Sequence, residues 1–135
     1  MVGILADINV QGHLNFLLHV WESKDWREIW ESLSLSIHTF EDFGLNKNTS
    51  DKALWEECQN RKIALITANR NDDGPDSLEA TIRNQNNPNS LPVFTLGDAD
   101  RVFEDKGYAA RTAIQLLQYF LDIDSVLGTG RLFVP

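Results

Sequence analysis

The stretch Lys62-Ile63-Ala64-Leu65-Ile66-Thr67 is uniformly apolar between its two polar ends. A short run of this kind is typical of a strand that is buried on both faces of a parallel sheet. Two further runs have the same apolar character: Gly3-Ile4-Leu5-Ala6, which Asp7 follows directly, and residues 91–96. We therefore predict three buried strands here, with Pro92 at an edge or entry position of the last one.

Segments with helical or alternating patterns separate and follow these strands. Apolar residues recur at helical spacing in five segments, and the predicted helices cover residues 10–21, 25–33, 51–60, 76–83 and 108–123. Ser50 is expected to cap the third helix, and Asp76 with Glu79 has the spacing of a capping box for the fourth. Residues 35–39 alternate as a strand does, and residues 132–134 are expected to form a short last strand.

This alternation predicts the fold class. Strands separated by helices need crossover connections, which are normally right-handed and place helices on both faces of a parallel sheet. We therefore predict an α/β protein, a three-layer α/β/α sandwich with a mostly parallel central sheet. The 135 residues contain no repeat or linker, so residues 1–135 are expected to form one domain.

Composition and charge argue against some kinds of binding partner for this protein. The net charge is −8, from 12 basic and 20 acidic residues, which argues against broad electrostatic contact with nucleic acid or an anionic membrane. An active site that meets phosphates through bound metal ions remains compatible with this charge. No apolar run is long enough to cross a bilayer, and no basic leader precedes an apolar stretch, so we expect a cytoplasmic protein without a membrane segment. The single cysteine, Cys58, is expected to be a buried thiol.

Acidic and amide side chains follow each predicted strand. They are Asp7, then Glu41 and Asp42, then Asn69, Asn71, Asp72 and Asp73, and finally Asp98 and Asp100. Parallel strands bring their carboxyl ends to one edge of a sheet, where ligands of such proteins bind. Oxygen ligands of this kind suit Mg²⁺ or Mn²⁺, and a pair of such ions can drive phosphodiester hydrolysis. The alternative is that Asp and Asn are simply favoured in loops and helix caps.

Four successive segments carry a family resemblance. They are Ile4-Leu5-Ala6-Asp7-Ile8-Asn9, Phe43-Gly44-Leu45, Ser50-Asp51-Lys52-Ala53-Leu54 and Ala64-Leu65-Ile66-Thr67-Ala68-Asn69. In this order they resemble the motifs of PIN-like proteins, in particular a compact bacterial branch of unknown function that is related to toxin nucleases. That branch typically reads Leu-Asp-Glu-Asn at its first strand, Gly-x-Ser-Asp before its second major helix and Thr-x-Asp-x-Asp-Phe after its next strand. The resemblance covers residues 3–73.

The resemblance implies a metal-dependent ribonuclease, in many cases the toxin of a toxin–antitoxin pair. Asp7 matches the first metal-binding Asp of the family, and Asp51 matches its helix-borne acidic residue. The two Asp residues that follow Thr in the family fall on Asn69 and Asn71, which bring no negative charge. Ile8 occupies the position where the family motif usually has Glu, whereas Asn9 matches the Asn of that motif.

Several roles follow from this match. The implied catalytic residues are Asp7, Asp51, Asp72 and Asp73, since the last two are able to substitute if the loop shifts. The implied ligands of Mg²⁺ or Mn²⁺ are Asp7, Asp51, Asn69, Asn71, Asp72 and Asp73. Asn9 and Arg70 are candidates for contacting substrate, although a salt bridge between Arg70 and a nearby Asp is an equal alternative. The expected partners are RNA, an antitoxin protein and a second copy of the chain.

Other interpretations stay open. One is a PIN-like domain that has lost its metal and acts as a binding or regulatory protein. Another is a small phosphohydrolase with Asp7 as nucleophile, although the second Asp that such enzymes place two residues later is Asn9 here. His13, His19 and His38 lack metal-ligand spacing, and the four Trp residues lie at helical spacing that is typical of core positions. The role of residues 98–135 is left open.

Overall fold

A computed structural model describes all 135 residues, from Met1 to Pro135. Its centre is one sheet of parallel strands, β1 (Gly3–Ala6), β2 (Ser36–His38), β3 (Ile63–Thr67), β4 (Val93–Leu96) and β5 (Arg131–Val134). The strand order is β2-β1-β3-β4-β5. The sheet is entirely parallel and helices flank it, so the predicted α/β class and three-layer arrangement are confirmed.

Six helices connect the strands. They are α1 (Gln11–Trp21), α2 (Arg27–Leu33), α3 (Asp51–Arg61), α4 (Leu78–Gln85), α5 (Ala99–Glu104) and α6 (Lys106–Leu121). Short 3₁₀ turns lie at Ile8–Val10, Glu41–Phe43 and Ile123–Val126. None of the helices combines the length and the apolar character that a membrane span requires.

Alternate strand residues point to opposite faces of the sheet and build two separate cores. On one face, Ile4 and Ile66 pack with the buried sides of α1, α5 and α6. On the other face, Leu5 and Leu65 pack with α3 and α4. Residues of β1 and β3 are buried on both faces, and this explains why their sequences are apolar without interruption.

Tryptophan side chains anchor both cores, as their spacing predicted. Trp21 is fully buried on α1, and its indole N–H donates to the Ala113 carbonyl of α6 at 2.8 Å. Trp21 also stacks on Trp30, with 4.7 Å between ring centroids. Trp55 is buried in the other core together with Cys58. The hydrogen bond of the Trp21 indole satisfies a donor that burial would otherwise leave unpaired.

Local details differ from the predicted ones at three points. The cap of α4 is Ser77, whose hydroxyl accepts from the Ala80 N–H at 3.2 Å, so the capping box predicted at Asp76 is wrong by one residue. Helix α5 was not predicted because its six residues are too few for a periodic pattern. Pro92 lies directly before β4, which is an interior strand, so it occupies an entry position and not an edge.

The last crossover also differs from expectation. The chain moves in the same direction along the sheet from β3 to β4 and from β4 to β5. The first of these steps passes through α4 on one face, whereas the second passes through α5 and α6 on the opposite face. The two crossovers therefore have opposite hands, so one of them departs from the right-handed connection that we expected.

Candidate functional site

The strand order creates a switch point between β1 and β3. From β1 the chain leaves to one side to form β2, and it then returns on the other side to form β3. In doubly wound sheets the connections diverge at such a point, and a crevice forms at the carboxyl ends of the two strands. Asp7 follows β1 directly and Thr67 is the last residue of β3, so both lie at this crevice.

A chain of hydrogen bonds joins two carboxylates at the switch point. The Thr67 hydroxyl donates to Asp7 Oδ2 at 2.9 Å, and Thr67 Oγ1 accepts from the Asn69 backbone N–H at 3.0 Å. The Asn69 side-chain amide then donates to Asp51 Oδ2 at 3.0 Å. We call these four residues the switch-point network. The structure thus brings together Asp7, Asp51 and Asn69, which are separated in sequence by up to 62 positions.

Two helix N-termini position Asp51. Asp51 is the first residue of α3, where the Ser50 hydroxyl accepts from the Ala53 N–H at 3.1 Å and caps the helix as predicted. The backbone N–H of Leu78, the first residue of α4, donates to Asp51 Oδ2 at 3.2 Å. Both helix dipoles favour a negative charge at this position, so the half-buried carboxylate is well accommodated without a basic side chain.

The side chain of Asn69 has a fixed orientation. Its Oδ1 accepts from the Asn71 backbone N–H at 2.8 Å, while its Nδ2 donates to Asp51. Both bonds require the same assignment of oxygen and nitrogen, because reversing the amide would lose both. Asn69 therefore offers an N–H group, not a carbonyl oxygen, to the Asp51 carboxylate.

A buried arginine fixes the backbone at Asn69. Arg131 on β5 has a side chain that is only 8% exposed. Its Nη1 donates to the Asn69 carbonyl at 2.8 Å and to Thr95 Oγ1 at 2.7 Å, and its Nη2 donates to Glu79 Oε2 at 3.2 Å. Sequence reasoning did not identify Arg131 or Thr67 as site residues. The only signals were a cation beside the apolar run 132–134 and a threonine at the end of a buried strand.

The side chains of the remaining residues of the loop after β3 make no hydrogen bond to the network. Asn71, Asp72 and Asp73 are exposed, and the only bond among them is from the Asp73 N–H to Asn71 Oδ1 at 3.0 Å. Arg70 donates to the Gly97 carbonyl at 2.6 Å and lies over the Phe133 ring, 5.0 Å from its centroid. Arg70 forms no salt bridge with a nearby Asp.

The other predicted positions lie apart from the network. Asn9 is exposed in the 3₁₀ turn that follows Asp7. Asp42 accepts from the Thr39 backbone N–H at 2.8 Å, and Asp98 accepts from the Arg101 N–H as the cap of α5. These two carboxylates therefore have local structural partners.

The electrostatics of the network are unbalanced toward negative charge. Neither Asp7 nor Asp51 takes part in any salt bridge of the molecule. Only Oδ2 of each carboxylate accepts a hydrogen bond from the protein, so Oδ1 of each is free to bind a further donor or a cation. Two carboxylates without a basic partner favour the binding of positive charge.

Asp7 and Asp51 are the residues of the network that could hold a Mg²⁺ or Mn²⁺ ion. Mg²⁺ commonly binds through one or two carboxylates, waters and substrate phosphates, and these two side chains are the carboxylates that the network offers. The structure contains no group of three or more His, Cys, Asp or Glu side chains arranged to hold a metal. Asn69 presents an N–H group toward Asp51, so it adds no ligand in this arrangement.

Comparison of the chain with protein-family models, with curated proteins and with solved structures gave no match. The PIN-like assignment therefore stays a prediction from the motifs.

Proposed function

We propose that the chain is a PIN-like ribonuclease that cleaves RNA phosphodiester bonds with one Mg²⁺ or Mn²⁺ ion held by Asp7 and Asp51. The observation that carries this proposal is the switch-point network, in which Thr67 and Asn69 connect two carboxylates that have no basic partner. The network lies at the carboxyl ends of β1 and β3, and ligands of parallel sheets bind at such ends. The motif resemblance of residues 3–73 supports the choice of RNA as substrate.

The protein's own residues would act by positioning and by holding charge. Thr67 and Asn69 donate to Oδ2 of the two carboxylates, which leaves Oδ1 of each without a protein donor. The bound ion would supply positive charge that offsets the charge developing on the phosphate. Arg70, exposed on the adjacent loop, would contact a neighbouring RNA phosphate.

An RNA cleavage assay in Mn²⁺ tests this proposal. We expect Asp7→Asn and Asp51→Asn to lower the rate by roughly a hundredfold or more, because each removes half of the charge that holds the ion. Asp25→Asn is the matched control, since Asp25 is exposed and far in sequence from the network. Cleavage that survives Asp7→Asn unchanged would come from a contaminant or from another site, and would refute the proposal. Asp72→Asn and Asp73→Asn test whether the exposed loop carboxylates contribute.

The toxin role is the finer part of the proposal and has its own test. If the chain is the toxin of a pair, its expression arrests growth, and a cognate antitoxin protein relieves the arrest. The Asp7→Asn variant is expected to be harmless at equal expression. Equal arrest by the wild type and by Asp7→Asn would contradict a toxin activity based on this site.

One observation favours a second candidate, a PIN-like domain that binds a partner without catalysis. The Asn69 amide already donates to Asp51, which a cation would otherwise neutralise. A neutral donor at this position stabilises the carboxylate without metal. This candidate predicts that neither the wild type nor Asp7→Asn binds Mn²⁺, and that RNA remains intact in the assay above.

A further inference from the structure

Building on the proposed function, we propose that a cavity beside Asp7 binds one nucleotide of the RNA, next to the phosphodiester that is cleaved. The cavity lies where β1 and β2 end and has a volume of about 530 Å³. Its lining includes Ile8, Gln11, Phe40, Glu41 and Lys47. We call it the β1–β2 cavity.

The position of the β1–β2 cavity connects it to the switch-point network. Ile8 on its wall follows Asp7 directly, and Gln11 begins α1 after the 3₁₀ turn. The opposite wall is formed by residues that follow β2. A strand of RNA with its phosphate at Asp7 would therefore bring a flanking nucleotide to this cavity.

The size and the apolar part of the lining suit a nucleobase. A volume of 530 Å³ lies within the range of sites for small organic ligands, and it accommodates a base with its ribose. Of the apolar lining residues, Phe40 is 6% exposed and Ile8 is 38% exposed. Single-stranded RNA is recognised by splaying out bases into apolar surroundings of this kind.

The polar part of the lining suits a nucleotide better than it suits an inorganic anion. Gln11 offers both a donor and an acceptor to the edge of a base, and its side chain makes no hydrogen bond within the protein. Lys47 is the only cation of the lining, and Glu41 is the only carboxylate. One positive charge beside an apolar wall and neutral amides matches a ligand with a single phosphate and an aromatic base. A highly charged anion would meet Glu41 with only one cation to compensate.

An NMR titration with the four ribonucleoside 5′-monophosphates, in the absence of metal, tests the inference. We expect the amide signals of residues 8–11 and 39–47 to shift and to saturate at millimolar nucleotide. Gln11→Ala and Lys47→Gln should each weaken binding by about fivefold or more, because each removes one contact worth about 1 kcal/mol. Both side chains are exposed and lack protein partners, so both variants are expected to fold. Lys52→Gln, at an exposed lysine outside the cavity, should bind as the wild type does.

The outcomes separate this inference from the proposed function. Asp7→Asn should abolish RNA cleavage yet bind nucleotides with unchanged affinity, since the cavity does not contain Asp7. If the wild type fails to cleave RNA but its cavity signals shift with nucleotide, the inference holds and the ribonuclease proposal fails. The inference would be overturned by signals that do not move, by signals that move elsewhere on the protein, or by signals that move in Gln11→Ala and Lys47→Gln as they do in the wild type.

Discussion

Replacing Asn69 with Asp tests the geometry of the switch-point network. In the structure the Asn69 amide donates to Asp51 Oδ2 at 3.0 Å. In Asn69→Asp a carboxylate oxygen takes the place of this N–H donor, and a favourable hydrogen bond becomes a contact between two negative charges. The bond from the Asn71 N–H to the other oxygen of residue 69 is retained, so the new carboxylate is held in position.

The size of the effect follows from the separation. Coulomb's law for unit charges about 3 Å apart gives about 1.4 kcal/mol in water and about 5.5 kcal/mol at an effective dielectric constant of about 20. Both side chains are half-buried, so an intermediate repulsion applies. With the lost hydrogen bond included, we expect Asn69→Asp to destabilise the metal-free protein by about 3 kcal/mol. For a chain of this length that corresponds to a decrease in Tm of about 10 °C.

Thermal melts with and without Mn²⁺ measure both halves of the prediction. A divalent cation would neutralise the pair formed by Asp51 and the new carboxylate, so saturating Mn²⁺ should recover most of the lost stability. Mn²⁺ should also bind Asn69→Asp about tenfold more tightly than it binds the wild type. The control is Asn48→Asp, which introduces the same charge at an exposed loop residue and should leave Tm nearly unchanged. A metal-free Tm equal to that of the wild type, or equal responses of Asn69→Asp and Asn48→Asp to Mn²⁺, would refute the geometry.

Three further predictions concern stability and reactivity. Arg131→Met removes the donor to the Asn69 carbonyl and to the buried Thr95 hydroxyl. We expect the free energy of unfolding in urea to fall by about 3 kcal/mol, and an unchanged urea midpoint would contradict this. Burial raises the pKa of the Cys58 thiol to about 12, so a thiol reagent should label Cys58 slowly in the folded protein and fast in denaturant, whereas rapid native labelling would show an accessible thiolate. The hydrogen bond from the Tyr108 backbone N–H lowers the pKa of the exposed Asp105 carboxyl, which caps α6. Asp105→Ala should therefore lower Tm at neutral pH, and the difference should disappear as the pH falls through the lowered folded-state pKa; a difference that persists in strong acid would contradict it.

Much of the fold could be predicted because its strands are buried on both faces. The apolar runs at β1, β3 and β4 reflect burial against two helical layers, and this signal is readable without coordinates. Helix α5 could not be predicted because its six residues are too few for a periodic pattern, and the hand of the last crossover could not because it depends on which face α6 covers. The cap of α4 was misplaced by one residue because Asp76 and Ser77 are both favourable caps, and only the hydrogen bond of Ser77 distinguishes them.

The site could be predicted in part. Asp7 and Asn69 were identified from their places after strands and Asp51 from the motif resemblance, and the fold brings the three together. Thr67 and Arg131 were missed because their importance comes from partners far along the chain. The orientation of the Asn69 amide was equally hidden, because it is determined by hydrogen bonds to Asn71 and Asp51 and not by residue type.

Calorimetric titration with Mn²⁺ tests most directly whether Asp7 and Asp51 form one cation site. We predict that one ion binds per chain of the wild type and of the control Asp25→Asn, and that Asp7→Asn binds at least about tenfold more weakly because half of the carboxylate charge is gone. Equal affinity in Asp7→Asn and the wild type would place the ion elsewhere. The absence of binding to the wild type would contradict the cation site and favour the non-catalytic candidate.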